Sequence, residues 1–222
     1  MTNTKMKLDF HVHTKYSNDS LMTLETFNKV CKKKGFFPVI TDHDTIKGAL
    51  EYKKRFGDCI IGEEVHTSHG DLAGLFLNEE IPKKTNVYEV VDRIKAQGGL
   101  VYMPHPFDIG RRSTLKVHDF KADIVEVFNA RVVLQKFNKM ADEYADKHGL
   151  LKAVGSDSHF SMHVGMCYAE MDSFDDIKGF KQSLRKARLV TKSVNPLALG
   201  LTKAVHFSRK RMEMLQKLVR LR

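Results

Sequence analysis

Cysteine is scarce: Cys31, Cys59 and Cys167 are the only three in 222 residues, and no two form a C-x-x-C pair. That spacing argues against a disulfide and predicts reduced, mostly buried thiols, as in a cytoplasmic protein. No apolar run approaches the ~20 residues of a membrane-spanning helix. The opening "MTNTKMKLDF" lacks a signal-peptide pattern, because its apolar strand begins at once and carries charge. Internal repeats, low-complexity tracts and long linkers are missing too. With 42% apolar residues the chain is too hydrophobic for a disordered segment and long enough to bury a full core. One domain of barrel or layered α/β type is expected.

Charge is plentiful but uneven. The net charge is +10, of which the last fourteen residues, "RKRMEMLQKLVRLR", supply +5 through six Lys/Arg and one Glu. A basic balance suits phosphate-bearing ligands or nucleic acid. Met214, Leu215, Leu218 and Leu221 recur at helical spacing, so 197–222 is expected to be a basic amphipathic helix packed on the domain or on a partner. A weak nucleic-acid contact is the sharper reading of the same tail. No feature of the sequence sets an oligomeric state.

Short β-like runs alternate with helical segments, the pattern of a parallel α/β arrangement. Strands are predicted at 7–12, 36–41, 59–65, 72–77, 99–104, 123–129 and 150–156, and helices at 23–34, 46–56, 86–97, 134–148 and 174–186. Asn86 is a good N-cap, and Gly149 a stop signal. Residues 1–196 then form the domain.

Ionisable residues gather where these strands end. In "KLDFHVH", Asp9, His11 and His13 alternate with Leu8, Phe10 and Val12, which puts them on one face of a strand. Incidental histidines on a polar face would be the plainer reading of that stretch alone. "TDHDT" (41–45), Glu63-Glu64, "PHPF" (104–107), Glu126 to Arg131 and "GSDSH" (155–159) follow at later strand ends. In a parallel barrel those ends share one rim, where active sites lie. The imidazoles and carboxylates on this rim exceed the three protein ligands of a mononuclear catalytic zinc, so two or three divalent ions (manganese, zinc or iron) are expected. Paired ions hold hydroxide at neutral pH and clamp the attacking and leaving oxygens of an in-line displacement, which favours phosphoester chemistry.

"DFHVH", "TDHDT", "GEE", "PHP" and "GSDSH", in this order over residues 7 to 160, resemble the PHP (polymerase and histidinol phosphatase) family of metal-dependent phosphoesterases. The resemblance implies a distorted (β/α)7 TIM-like barrel, here with a C-terminal helical extension. It implies His11, His13, Asp19, His43, Glu64, His105, Asp157 and His159 as metal ligands, with Asp9 and Asp42 orienting ligand histidines. Two departures stand out. "SNDS" (17–20) replaces the family's Ser-Asp-Gly, displacing the carboxylate to Asp19. Asp71 stands where many members have a histidine, with His66 and His69 just upstream.

Asp42, Arg131 and His163 are the candidate catalytic groups, His163 as acid for the leaving group. Arg111, Arg112 and Arg131 are candidate ligands of substrate phosphate, with Asn129 beside them. Glu126 reads equally as a supporting residue of the site or as one charge inside the barrel. The expected activity is hydrolysis of a phosphomonoester, a nucleotide or a short oligonucleotide by a metal-bridging hydroxide. Two alternatives remain: a PHP-like binding module whose catalysis has lapsed, and an amidohydrolase-type barrel, which also opens with H-x-H. The latter usually carries a bridging lysine, and "CIIGEEV" has none. Specificity is expected in loops 66–71, 108–118 and 160–168.

Overall fold

The computed structural model describes residues 5–111 and 120–195, and along them strands and helices alternate as the periodicity predicts. In chain order these are β1 (Lys5–Leu8), α1 (Leu24–Lys34), β2 (Val39–His43), α2 (Lys47–Phe56), β3 (Ile60–Thr67), β4 (Gly70–Leu75), α3 (Val87–Ala96), β5 (Leu100–Met103), β6 (Ile124–Asn129), α4 (Lys136–His148), β7 (Leu151–Gly155), β8 (Tyr168–Asp172), α5 (Ile177–Arg185) and β9 (Arg188–Val190). Helix ends obey local chemistry. The Asn86 side chain accepts from Tyr88 N and opens α3, and Gly149, at φ 63°, stops α4 in the left-handed region.

Strands β2 to β7 form one curled sheet in chain order. Residues 9–13 close it as a seventh member. Phe10 N and His13 N donate to Val154 O and Ser158 O, and on the other side Thr41 N donates to Val12 O at 2.9 Å. The fold is a distorted, seven-membered α/β barrel of the TIM-like kind. β1, β8 and β9 make a separate antiparallel sheet at its edge.

The structure corrects three expectations. The first strand is shorter than 7–12: it ends at Leu8, and the chain bends at Phe10 before bridging at Val12. β4 runs antiparallel to both neighbours, because only the Ser68-His69 turn separates it from β3, far too little for a parallel crossover. β8 and β9 flank α5, where no strands were predicted. The C-terminal segment 197–222 lies outside the described residues.

Barrel strands change character along their length. Val39, Ile60, Leu75, Leu100, Ile124 and Leu151 pack inside the lower barrel with Tyr102 and Phe10, each buried side chain contributing roughly 1.5–3 kcal/mol. Above them the inward positions turn charged: His43, Glu64 and Glu126, the first two facing each other in register. The apolar floor seals one end, so the charged layer opens only toward the rim. Gly155 belongs to that upper layer, where a Cβ would overlap the Glu126 carboxylate and the His11 Cβ.

Candidate metal centre

The rim cluster is built around Glu64, which β3 presents inward while Glu63 points the other way and accepts from Ile81 N. Glu64 Oε2 lies 3.1 Å from His11 Nε2, 3.3 Å from His13 Nε2 and 3.1 Å from His43 Nδ1, and Oε1 lies 3.0 Å from His105 Nε2. One carboxylate thus faces four imidazoles from three separate segments. Asp157 Oδ1 is 3.6 Å from His13 Nε2, and Asp19 Oδ2 is 2.9 Å from His159 Nε2 and 3.5 Å from His43 Nε2. All eight residues expected as ligands therefore meet in one cluster. Their donor atoms fall into three groups close enough to share an ion: His13/His43/His159, His11/Glu64/His105 and His11/His13/Asp157.

The cluster fits divalent cations on its own chemistry. His13 Nε2, His43 Nδ1, His105 Nδ1 and Asp19 Oδ1 are buried atoms without a hydrogen-bond partner, a costly state in a dry site that a cation would relieve at His13, His43 and Asp19. His13 is held well below the ordinary imidazole range by burial and by His43 and His159 beside it, which keeps its lone pair available. Burial resists charge on Glu64 and Asp157, yet both sit well below the carboxylate range, Glu64 because of His11 and His43 and Asp157 because of Arg111 and Arg131. His43 rises to about 9: burial opposes the shift, and Glu64 and Asp19 drive it. Backbone strain gathers here as well, with left-handed φ at Asp44 (53°), His105 (29°) and Asp157 (50°).

A ring of supporting contacts fixes these side chains. Glu126 is the residue whose role the sequence left open. Its Oε1 lies 3.0 Å from His11 Nδ1, while Oε2 accepts from His105 N at 2.7 Å and from Asn129 Nδ2 at 3.0 Å. Asn129 Nδ2 also reaches Asp157 Oδ2 at 3.2 Å. An acidic residue on the inward side of an otherwise apolar strand was the available signal.

Asp9 lacks the expected ring contact, and Asp42 reaches a ligand histidine only indirectly. Asp9 does not reach a histidine ring; it accepts from Ser156 N, Gly165 N and the backbone of His11, stitching the first segment to the loop after β7. Asp42 does not open onto the site either. Its carboxylate accepts from Thr14 N (2.6 Å), Thr14 Oγ1 (2.6 Å) and Ser17 Oγ (2.7 Å), and Ser17 Oγ lies 3.2 Å from His13 Nδ1. Asp42 is a positioning residue acting through Ser17. His66 pairs with Asp44 at 3.0 Å and stands 3.9 Å from Asp71 Oδ1, whereas the His69 ring meets its turn neighbour Ser68 and its backbone N donates to Thr67 Oγ1.

Two guanidiniums border the cluster. Arg131 Nη1 lies 3.1 Å from Asp157 Oδ1 and 2.7 Å from His159 Nδ1, and Arg111 Nη1 contacts Asp157 Oδ2. Arg112 is outside the described residues. His163 is buried edge-on against Phe160, and burial, Arg131 and His159 hold it below the ordinary imidazole range.

Comparison with known proteins gives this arrangement a family. Residues 135–189, which carry Asp157 and His159, match the family model described as PHP-associated. An uncharacterized protein of Methanocaldococcus jannaschii is 38% identical over 178 residues, 77% of this chain and 72% of that protein. A two-domain protein of Bacteroides vulgatus, containing a predicted PHP-like metal-dependent phosphoesterase, shares the fold with a TM-score of 0.66 at 16% identity, over 86% of this chain and 66% of its own. The chain belongs to the PHP family. The lesion-specific Endonuclease Q of Pyrococcus furiosus has the same fold, with a TM-score of 0.64 at 17% identity over 87% of this chain. This PHP chain spans 60% of that endonuclease's length, and about two thirds of the Bacteroides protein. Among the described residues no helix is long and apolar enough to cross a membrane.

Proposed function

We propose that this chain is a metal-dependent hydrolase of phosphate esters, acting on a phosphomonoester, a nucleotide or the end of a short oligonucleotide. The observation that carries the reading is the convergence of five histidines and three carboxylates in one cluster, buried except for the part-exposed His43 and Asp19 and bordered by two guanidiniums. Two or three divalent ions (manganese, zinc or iron) would be held by the three donor groups, with Glu64 facing most of their histidines. When bound, such ions polarise a phosphoryl oxygen and make water a nucleophile at neutral pH. The chain's own residues do the rest. Arg131, braced by Asn129 and His159, and Arg111 grip non-bridging phosphate oxygens with fork geometry. Glu126 and Ser17 hold the His11 and His13 rings in place. The apolar floor keeps bulk water out from below. His163 sits in the loop beside Arg131, and its neutral ring leaves protonation of the departing oxygen to water.

The PHP-like phosphoesterase and the Endonuclease Q among the structural relatives support phosphate esters as the substrate class, the latter supporting a nucleic-acid end. The basic tail is consistent with that end of the range. The test is a count of bound metals together with phosphate release from phosphomonoesters, nucleotides and oligonucleotides, with His11→Ala and Asp157→Ala alongside. Two or more metals per chain and turnover lost in both variants would establish the reading. Metals without turnover on any class would favour the lapsed binding module, and absence of metal after reconstitution would sink the central claim.

A further inference from the structure

Asp157 is claimed from several sides. Its Oδ1 faces Arg131 Nη1 at 3.1 Å and the unpartnered His13 Nε2 at 3.6 Å, while Oδ2 accepts from Asn129 Nδ2 at 3.2 Å and contacts Arg111 Nη1. The two arginines are held very differently. Arg131 is anchored through its backbone N on Asn129 Oδ1 (2.9 Å) and through Nη1 on Asp157 O (3.3 Å) and His159 Nδ1. Arg111 arrives on the loop after β5, where its backbone N donates to Asp108 O (3.0 Å), and among the described residues its other side-chain ion pair is a 3.5 Å contact with Asp108 on that same loop. Asp157 also belongs to the donor group His11/His13/Asp157. A divalent cation there and the Arg111 guanidinium would compete for one carboxylate, two like charges a few ångströms apart. The loosely held arginine is the one that yields.

We propose that Arg111 is a transferable cation: it neutralises Asp157 until a divalent ion takes that carboxylate, and it then passes to a tetrahedral oxyanion in the site. Guanidinium matches both partners, since carboxylate and phosphate-type anions offer the same paired oxygens. Cation and oxyanion binding must then reinforce one another, because linkage is reciprocal. The inference rests on the phosphoester reading only for the identity of the natural anion.

The experiment is calorimetric titration of Mn²⁺ into the full chain, wild type, Arg111→Met and Arg111→Lys, each without and with sulfate as an unreactive oxyanion. Without sulfate, Arg111→Met should bind Mn²⁺ about tenfold more tightly than wild type, within the usual range of coupling. Sulfate should tighten Mn²⁺ binding about fivefold or more in wild type and not in Arg111→Met. Arg111→Lys keeps the charge without the fork, so it retains the competition and loses most of the sulfate effect. It decides the matter alone should the Met variant not fold. Unchanged or weaker Mn²⁺ affinity in Arg111→Met, or a sulfate effect that survives in both variants, overturns the proposal. The coupling is read without turnover: coupling without hydrolysis of any phosphate ester sinks the functional reading alone, and hydrolysis without coupling sinks the exchange alone. No Mn²⁺ binding by any of the three proteins overturns both.

Discussion

Glu126 Oε1 stands 3.0 Å from His11 Nδ1, on the ring edge opposite the one that faces Glu64. With a carboxylate on Nδ1, the proton stays there and Nε2 is left as the donor to a cation. The Glu126→Gln variant keeps the shape and loses the charge. Its affinity for the first divalent ion should fall roughly 10–100-fold by titration calorimetry. Wild-type affinity would show that the ring is oriented by something else.

Gly155 closes β7 against the site with no room for a side chain. Gly155→Ala should push the Glu126 carboxylate and His11 apart and cost roughly 1–3 kcal/mol, the usual range for overpacking. Denaturant unfolding measures that cost. A variant as stable as wild type, with unaltered cation affinity, would contradict the packing described.

Cation loading should stabilise the fold. At a hundred times the dissociation constant a bound ion contributes about 2.7 kcal/mol, and a chain of this size gains about 2–4 °C per kcal/mol. The melting midpoint should therefore rise by roughly 5–10 °C with Mn²⁺ or Zn²⁺ and return after chelation. Identical melting curves with and without ion would argue against the donor groups.

The cysteines give a prediction in pH. Burial pushes the Cys31 and Cys59 thiols up to about 12 from their usual 9. In the unfolded chain both ionise near 9, so between those values the unfolded state has lost protons that the folded state keeps. Stability must then fall as pH rises through that window. A Cys31→Ala/Cys59→Ala double variant should lose less stability between pH 9 and 11 than wild type, in paired denaturant titrations. Equal losses would show that the thiols are not protected.

Much of the site was legible because metal chemistry needs particular residue types at strand ends. His11, His13, His43, Glu64, His105, Asp157 and His159 each sit next to an apolar run that had to become barrel wall. The five helices among the described residues could be read from periodicity and stop signals, to within a few residues. What escaped was geometry that a one-dimensional pattern does not encode. The direction of β4 follows from the two-residue turn at Ser68-His69, not from its apolar content. β8, "YAEMD", and β9, "RLV", are short and mixed in polarity, and gain their order from pairing with β1 and each other. Asp9 and Asp42 have the residue type of a ligand orienter, but their actual partners, Ser156, Gly165, Thr14 and Ser17, are fixed by loop paths that no spacing rule supplies. Glu126 is the converse, a lone acid in an apolar strand whose partner lies 115 positions away.

The segment that closes the barrel is also the one that brings in the first two histidines. It joins β7 and β2 through a handful of backbone bonds at Phe10, His13, Ser158 and Thr41, where β2 and β3 share a continuous ladder from Val39 to His43. A cylinder is easiest to open at a joint this thin. His11 and His13 face Glu64 on β3 across that joint, and His13 faces Asp157 just past β7, so an ion held between them would act as a rivet across a thin line of the wall. Chemical competence and mechanical closure would then arrive in the same event, and a chain that lost its ions would lose the integrity of its barrel along with its reactivity.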